Sequence, residues 1–204
     1  HESKFIRDQF DASRFPDIDL VVSSSELKSE YLKFVVTMIN KPLFFVHGNH
    51  DTEYGRNPPE GCESIEDRVV VFGGLRFLGL GGSMRYGGDK SSTVPPYQYT
   101  EKHMAKRIRK LRFRLWRSRG FDVLVTHAPA FGICDGSDLC HMGFRCLRDL
   151  LDRWKPALMI HGHMHMGFGK GKRYVQHGET RIYDAFEYHV IEICFCAHTR
   201  ARIS

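Results

Sequence analysis

Three apolar runs of strand length, each leading straight into a polar motif that carries histidine, constrain this 204-residue chain more than any other feature. Residues 42–46 precede Gly48-Asn49-His50-Asp51, residues 121–125 precede Thr126-His127-Ala128-Pro129, and residues 157–160 precede Gly162-His163-Met164-His165. Each run reads as a buried strand. Strands that each end in nitrogen or oxygen donors are what a metal site in an α/β fold requires, because ligands there gather at the carboxyl ends of the strands.

The surrounding pattern supplies the rest of such a fold. Residues 18–23 read as a strand and 26–39 as a helix, with Leu27, Tyr31, Phe34, Val35 and Met38 at helical spacing. With strand 42–46 they make a β-α-β unit, hence parallel pairing and a right-handed crossover. The polar stretch 55–62 reads as a loop, and runs 69–72 and 76–80 flank Gly73-Gly74 as a hairpin. Residues 87–96 read as a mobile surface loop. The longest helical candidate is 100–119, with Met104, Ile108, Leu111 and Leu115 as its stripe and Gly120 as its stop. A helix over 143–154 turns Phe144, Leu147, Leu150 and Leu151 inward. Short β segments at 173–176, 180–183 and 188–195 close the chain. The expectation is a single α/β domain over 1–204, with two packed mixed β-sheets flanked by helices.

Charge is local. The formal net charge is +6, but residues 102–119 hold nine Lys/Arg and no acid, and the other 21 basic residues face 24 acidic ones. A uniformly basic, nucleic-acid-coating protein is not indicated. The basic helix is either a solvated face or a site that attracts nucleic acid or a nucleotide. Phe113 and Trp116 within it either stack on bases or extend the apolar face. No apolar run approaches the roughly 20 residues that span a bilayer, so no membrane is expected as a partner. None of the six cysteines forms a C-x-x-C pair, and Cys194 and Cys196 share a strand face. Reduced thiols and a cytoplasmic location are the simpler expectation. Cys134, Cys140 and Cys146 read as loop and core thiols. His47, His103, His141, His177, His189 and His198 read as structural or surface residues, and His161 as a structural neighbour of the last motif. The glycines of 79–88 lack a Gly-Lys-Ser/Thr ending and make no P-loop.

Imidazole nitrogen with amide or carboxylate oxygen suits divalent Mn, Fe or Zn. In an extended segment His163 and His165 point the same way. Gly162 allows a tight turn before them, and Pro129 takes the chain out of the sheet after His127. The order Asn-His, then His, then Gly-His-x-His resembles the calcineurin-like metallophosphoesterases, over about residues 18–188. That resemblance implies a four-layer α/β/β/α sandwich that hydrolyses a phosphomonoester or phosphodiester. It implies two divalent ions roughly 4 Å apart, which activate a bridging water for in-line attack on phosphorus. Asn49, His127 and His163 would hold one ion, His165 the other, and Glu26 would bridge both. His50 would face the phosphate and protonate the leaving oxygen, with Asp51 orienting it.

The chain departs from that family twice. Ser25-Glu26 stands where the family has Gly-Asp, which adds a Cβ and a methylene. The family's opening Asp-x-His is not in the sequence. The first residues put Glu2, or failing it His1, at the His position, with the first strand missing; either the sequence starts late or the second ion lacks a ligand. A non-catalytic metal- or phosphate-binding module on the same scaffold, or a nucleic-acid-binding protein using basic helix 102–119, are the alternatives.

Overall fold

Side chains along the strands alternate between two faces, as extended backbone dictates, and both faces are covered. The structure is a computed structural model that describes residues 2–86, 96–164, 174–194 and 202–203. Strands β1 (Val21–Ser23), β2 (Leu43–Phe45) and β3 (Cys62–Ser64) form a parallel three-stranded sheet in that order. Strand β4 (Val69–Phe72) turns back as β5 (Leu75–Leu80) through Gly73 and Gly74, whose φ values of 55° and 79° are those a two-residue hairpin turn needs. Two further pieces, β6 (Ser83–Met84) and β7 (Gln98–Tyr99), pair in parallel. Strands β8 (Val123–Thr126), β9 (Leu158–His161), β10 (Tyr174–His177) and β11 (Thr180–Asp184) join the hairpin in a six-stranded sheet of order β10-β11-β9-β8-β5-β4. Its four inner strands are parallel and its two edges antiparallel. Strands β12 (Ile193–Cys194) and β13 (Arg202–Ile203) form a small antiparallel pair.

Among the described residues, five α-helices cover these sheets: α1 (Lys4–Asp8), α2 (Ser29–Ile39), α3 (Glu101–Lys110), α4 (Arg112–Arg117) and α5 (Arg145–Trp154). Phe44 and Val46 meet Phe77, Val123, Val125 and Leu158 between the sheets. Leu43 and Phe45, on the opposite face of β2, pack with Ile6, Leu32 and Val35 from α1 and α2. Leu78, Leu124 and Met159, on the opposite face of the larger sheet, pack with Met104, Leu115, Leu147 and Leu151 from α3, α4 and α5. Three apolar seams between four layers give the α/β/β/α sandwich expected from the sequence.

Several boundaries differ from the sequence reading. Helix α2 starts at Ser29, so Glu26 lies in the loop before it. The stretch read as one helix over 100–119 breaks at Leu111 into α3 and α4. Residues 55–62, read as a loop, end in the start of β3. Residues 87–95 of the expected surface loop, the end of the 188–195 segment, Cys196 and His198 lie outside the described residues. Among the described residues, no helix is long and apolar enough to cross a membrane.

Candidate metal centre

Four parallel strands deliver the central side chains. Glu26 follows β1, Asn49 follows β2, His127 is the residue after β8, and His163 is two beyond β9. The first two leave the smaller sheet and the last two the larger one, so the centre sits at the carboxyl edge where both sheets end. It opens into a pocket of about 70 Å³ lined by Ser25, Glu26, His127, His163, Asp184 and Phe186 among others.

Hydrogen bonding behind the rings decides which atoms face inward. His127 Nδ1 lies 2.9 Å from the Ser24 carbonyl oxygen, so it carries the hydrogen and Nε2 the lone pair. His163 Nε2 lies 2.7 Å from the Cys140 carbonyl, which leaves the lone pair on Nδ1. Asn49 donates its Nδ2 hydrogen to the Tyr86 hydroxyl at 3.1 Å, turning Oδ1 inward. His127 Nε2 then faces Asn49 Oδ1 at 2.9 Å, His163 Nδ1 at 3.0 Å and Glu26 Oε1 at 3.6 Å. All four atoms accept and none donates. Glu26 Oε1 is buried with no hydrogen-bond partner among the described residues. Such a set is costly bare and is satisfied by a cation. Four ligand bonds of about 2.0–2.2 Å in a tetrahedron put donor atoms roughly 3.4 Å apart, so these separations fit one ion.

The electrostatics agree. Burial, reinforced by His127, holds His163 down at about 4, so it is the neutral form that binds metals. Burial opposes ionisation of Glu26, yet its His127 neighbour, with His50 and His163, keeps its carboxyl below the ordinary value.

Glycines make room for this packing. A Cβ on Gly48 would lie 2.4 Å from Glu26 Cγ, so the extra methylene of glutamate occupies space that only glycine leaves open. A Cβ on Gly162 would lie 2.5 Å from the Ser24 carbonyl oxygen. Gly162 serves this close approach, and the left-handed turn falls on His163, at φ 68°. This corrects the expectation that His163 lies in extended backbone, because β9 ends at His161. Ser25 is not among the residues of positive φ, so its Cβ strains nothing in the backbone.

Two carboxylates, the buried Asp51 and the half-buried Glu66, shape the Asn49 loop. Asp51 accepts the Gly48 N–H at 2.6 Å, and burial pushes its carboxyl up to about 6. It closes the turn and does not touch the His50 ring, contrary to the orienting role expected of it. The His50 partner is Tyr86, whose hydroxyl lies 3.1 Å from Nε2, and Glu26 Oε1 is 3.9 Å from the same nitrogen. Glu66 accepts the N–H groups of Gly81 at 2.8 Å and His47 at 3.2 Å and pairs with Arg107 of α3. Burial works against its charge, but His47 and Arg107 outweigh that and hold the carboxyl low. The His47 ring stacks on Tyr97 at 4.4 Å.

A profile of calcineurin-like phosphoesterases matches residues 8–167. The chain belongs to that family. Among solved structures, TT1561 of Thermus thermophilus is similar in fold to this calcineurin-like phosphoesterase, with a TM-score of 0.58 and 17% identity over 86% of this chain and 81% of that one. A putative 5'-nucleotidase from Staphylococcus aureus in complex with alpha-ketoglutarate aligns at a TM-score of 0.49 and 12% identity, over 86% of this chain but 39% of that one. No curated protein matches the chain.

Of the residues singled out from sequence, this calcineurin-like phosphoesterase brings together Glu26, Asn49, His127 and His163, with His50 at their rim. Glu2 is not with them: its carboxylate pairs with Arg7 at 2.8 Å, one turn into the chain's first helix. His165 lies outside the described residues. Sequence reasoning missed Tyr86, which bridges Asn49 and His50, and the backbone carbonyls of Ser24 and Cys140 that set the two histidine tautomers. Tyr86 gave no signal because it sits in glycine-rich, aperiodic sequence.

Proposed function

We propose that the protein is a metal-dependent hydrolase of phosphomonoesters or phosphodiesters. The observation that carries this is the convergence of Asn49 Oδ1, His127 Nε2, His163 Nδ1 and Glu26 Oε1 with no hydrogen among them. A divalent ion held there, Mn, Fe or Zn by the donor set, supplies charge neutralisation for phosphoryl oxygens and makes water more acidic. Glu26 leans toward both His127 and His50, the place for a carboxylate shared with a second ion. The His50 ring is largely exposed at the rim, where it can meet the phosphate and hand a proton to the leaving oxygen. Tyr86 holds that ring and the Asn49 amide in register.

The test uses p-nitrophenyl phosphate and its diester. Activity should vanish with chelator and return with Mn²⁺, and His50→Ala should keep its metal while losing about 100-fold in rate. Turnover that survives full metal removal would overturn the proposal. Metal-loaded protein inert on both substrates would favour a non-catalytic binding module.

A second reading has one observation in its favour. Phe113 and Trp116 are 70% and 69% exposed, with ring centroids 5.9 Å apart, so they do not extend the apolar face. Exposed Lys106, Arg109, Lys110, Arg112 and Arg117 surround them in sequence. Stacking aromatics amid cations suit single-stranded nucleic acid. Binding of a labelled oligonucleotide should weaken with salt, persist under chelation and fall in Phe113→Ala/Trp116→Ala.

A further inference from the structure

The loops that carry Asn49 and Tyr86 are joined twice. At the tip, the Tyr86 hydroxyl lies 3.1 Å from both Asn49 Nδ2 and His50 Nε2. At the root, the Gly82 N–H donates to the His47 carbonyl at 2.7 Å. Glu66 closes that root. Its Oε2 accepts the His47 N–H at 3.2 Å and lies 3.3 Å from His47 Nδ1, while Oε1 accepts the Gly81 N–H at 2.8 Å. A Cβ on Gly81 would strike the His47 carbonyl oxygen and come within 2.5 Å of Glu66 Oε2, so the two backbones meet too closely for a side chain between them. From this knot one strand of chain runs on to Asn49 and His50, the other to Tyr86.

Arg107 fixes the carboxylate from behind. Its guanidinium pairs with Glu66 Oε1 and, at 3.0 Å, with Asp67 Oδ1, and it donates to the Gly81 carbonyl at 2.8 Å. It also lies 4.3 Å over the Tyr99 ring. A planar fork held by oxygens at its edge and a ring at its face has little freedom left. The tip has little slack either. A hydrogen bond stretched to about 3.6 Å is no longer made, so a shift of about 0.5 Å between the two loops is enough to release the Tyr86 hydroxyl.

We propose that Glu66, backed by Arg107, is a positioning residue for the metal centre: by fixing His47 against Gly81 it sets the span that the Tyr86 hydroxyl bridges, and so aims the Asn49 amide at the ion and the His50 ring at the phosphate. This role rests on the hydrolase reading of Asn49 and His50. His127 and His163 take their orientation from the Ser24 and Cys140 carbonyls and do not depend on Glu66. Loosening the root therefore weakens one ligand and one proton donor and leaves the histidine pair in place.

The experiment compares the full chain with Glu66→Gln, which keeps the size of the side chain but sets an NH₂ group against one of the N–H donors. Mn²⁺ affinity is read by equilibrium dialysis, and kcat and KM on p-nitrophenyl phosphate. Glu66→Gln should bind Mn²⁺ about tenfold more weakly and lose about tenfold in kcat with little change in KM. Adding Tyr86→Phe to it should weaken Mn²⁺ binding no further than Tyr86→Phe alone, because both act through one link. Asp122→Asn supplies the control. It loosens the 2.6 Å pair with Arg76, at the strand ends opposite the centre, and should lower stability without moving Mn²⁺ affinity. In metal-free protein the Gly48 and Arg85 amides, bonded to Asp51 and Tyr99 and not to Glu66, should exchange hydrogen faster in Glu66→Gln. Unchanged affinity and kcat, fully additive effects in the double variant, or an equal loss in Asp122→Asn would overturn the proposal. A wild type that takes up no Mn²⁺ would remove the hydrolase reading instead. Hydrogen exchange needs no ion and would then decide: protection of Gly48 and Arg85 unchanged in Glu66→Gln would overturn the coupling of the two loops.

Discussion

At the scale of single residues, the centre is legible where a donor follows a buried strand and illegible where it depends on a loop. Asn49, His127 and His163 declare themselves because apolar runs place them at strand ends. Tyr86 does not, although its hydroxyl touches both Asn49 and His50. Tyr86→Phe should therefore weaken metal binding by about tenfold and lower the rate further, since both groups lose their support. Equilibrium dialysis and steady-state kinetics separate the two effects, and an unchanged metal affinity would refute the bridging role. Gly162 is legible as a glycine but for another reason than its φ. Gly162→Ala would press a methyl against the Ser24 carbonyl, the acceptor that sets the His127 tautomer. It should cost about 1–3 kcal/mol and weaken metal binding as well. Urea unfolding of the metal-free variant checks the first effect.

At the scale of elements, burial pattern predicts those covered on two faces and fails for those covered on one. The β4–β5 hairpin stands out through Gly73-Gly74, and α5 through its inward Leu147, Leu150 and Leu151. Strand β3 was hidden because Cys62-Glu63-Ser64 is polar, and an edge strand of three residues needs no apolar run. In α3 the stripe was readable, but the fate of Arg107 was not. A basic residue on a charged helix reads as solvated, yet Arg107 turns inward to Glu66 and Asp67 and lies 4.3 Å over the Tyr99 ring. Glu66 thus ties α3 to both the His47 and Gly81 backbones. Glu66→Ala should destabilise the protein by about 2 kcal/mol, because it leaves the half-buried Arg107 guanidinium with Asp67 as its one remaining carboxylate and frees the His47 and Gly81 N–H groups. A loss under about 1 kcal/mol in denaturant titration would show that the tie is dispensable.

At the scale of the molecule, the neutral buried histidines make stability depend on pH. An unfolded histidine titrates near 6.5, whereas burial holds folded His161 and His163 at about 4. Between those values the unfolded chain binds more protons, so their contribution is complete above pH 6.5 and declines as pH falls toward 4. Asp51 acts in the opposite sense. Its carboxyl is raised from 3.8 to about 6, so its contribution is present at low pH and lost as pH rises through 6. Two groups against one leave a net loss of about 1.4 kcal/mol per pH unit between about pH 6 and 5 in metal-free protein. Urea midpoints at those values test this, and a stability that rises on acidification would contradict the burial of both rings. The sandwich itself was readable from the alternation of helix and strand, while its three seams became visible only in which face each strand gives to which layer. The centre joins those layers in a further way. Because Glu26 and Asn49 leave one sheet and His127 and His163 the other, a captured ion is a rivet through the seam. Drawing such an ion out should slacken the clasp between the two halves in one stroke.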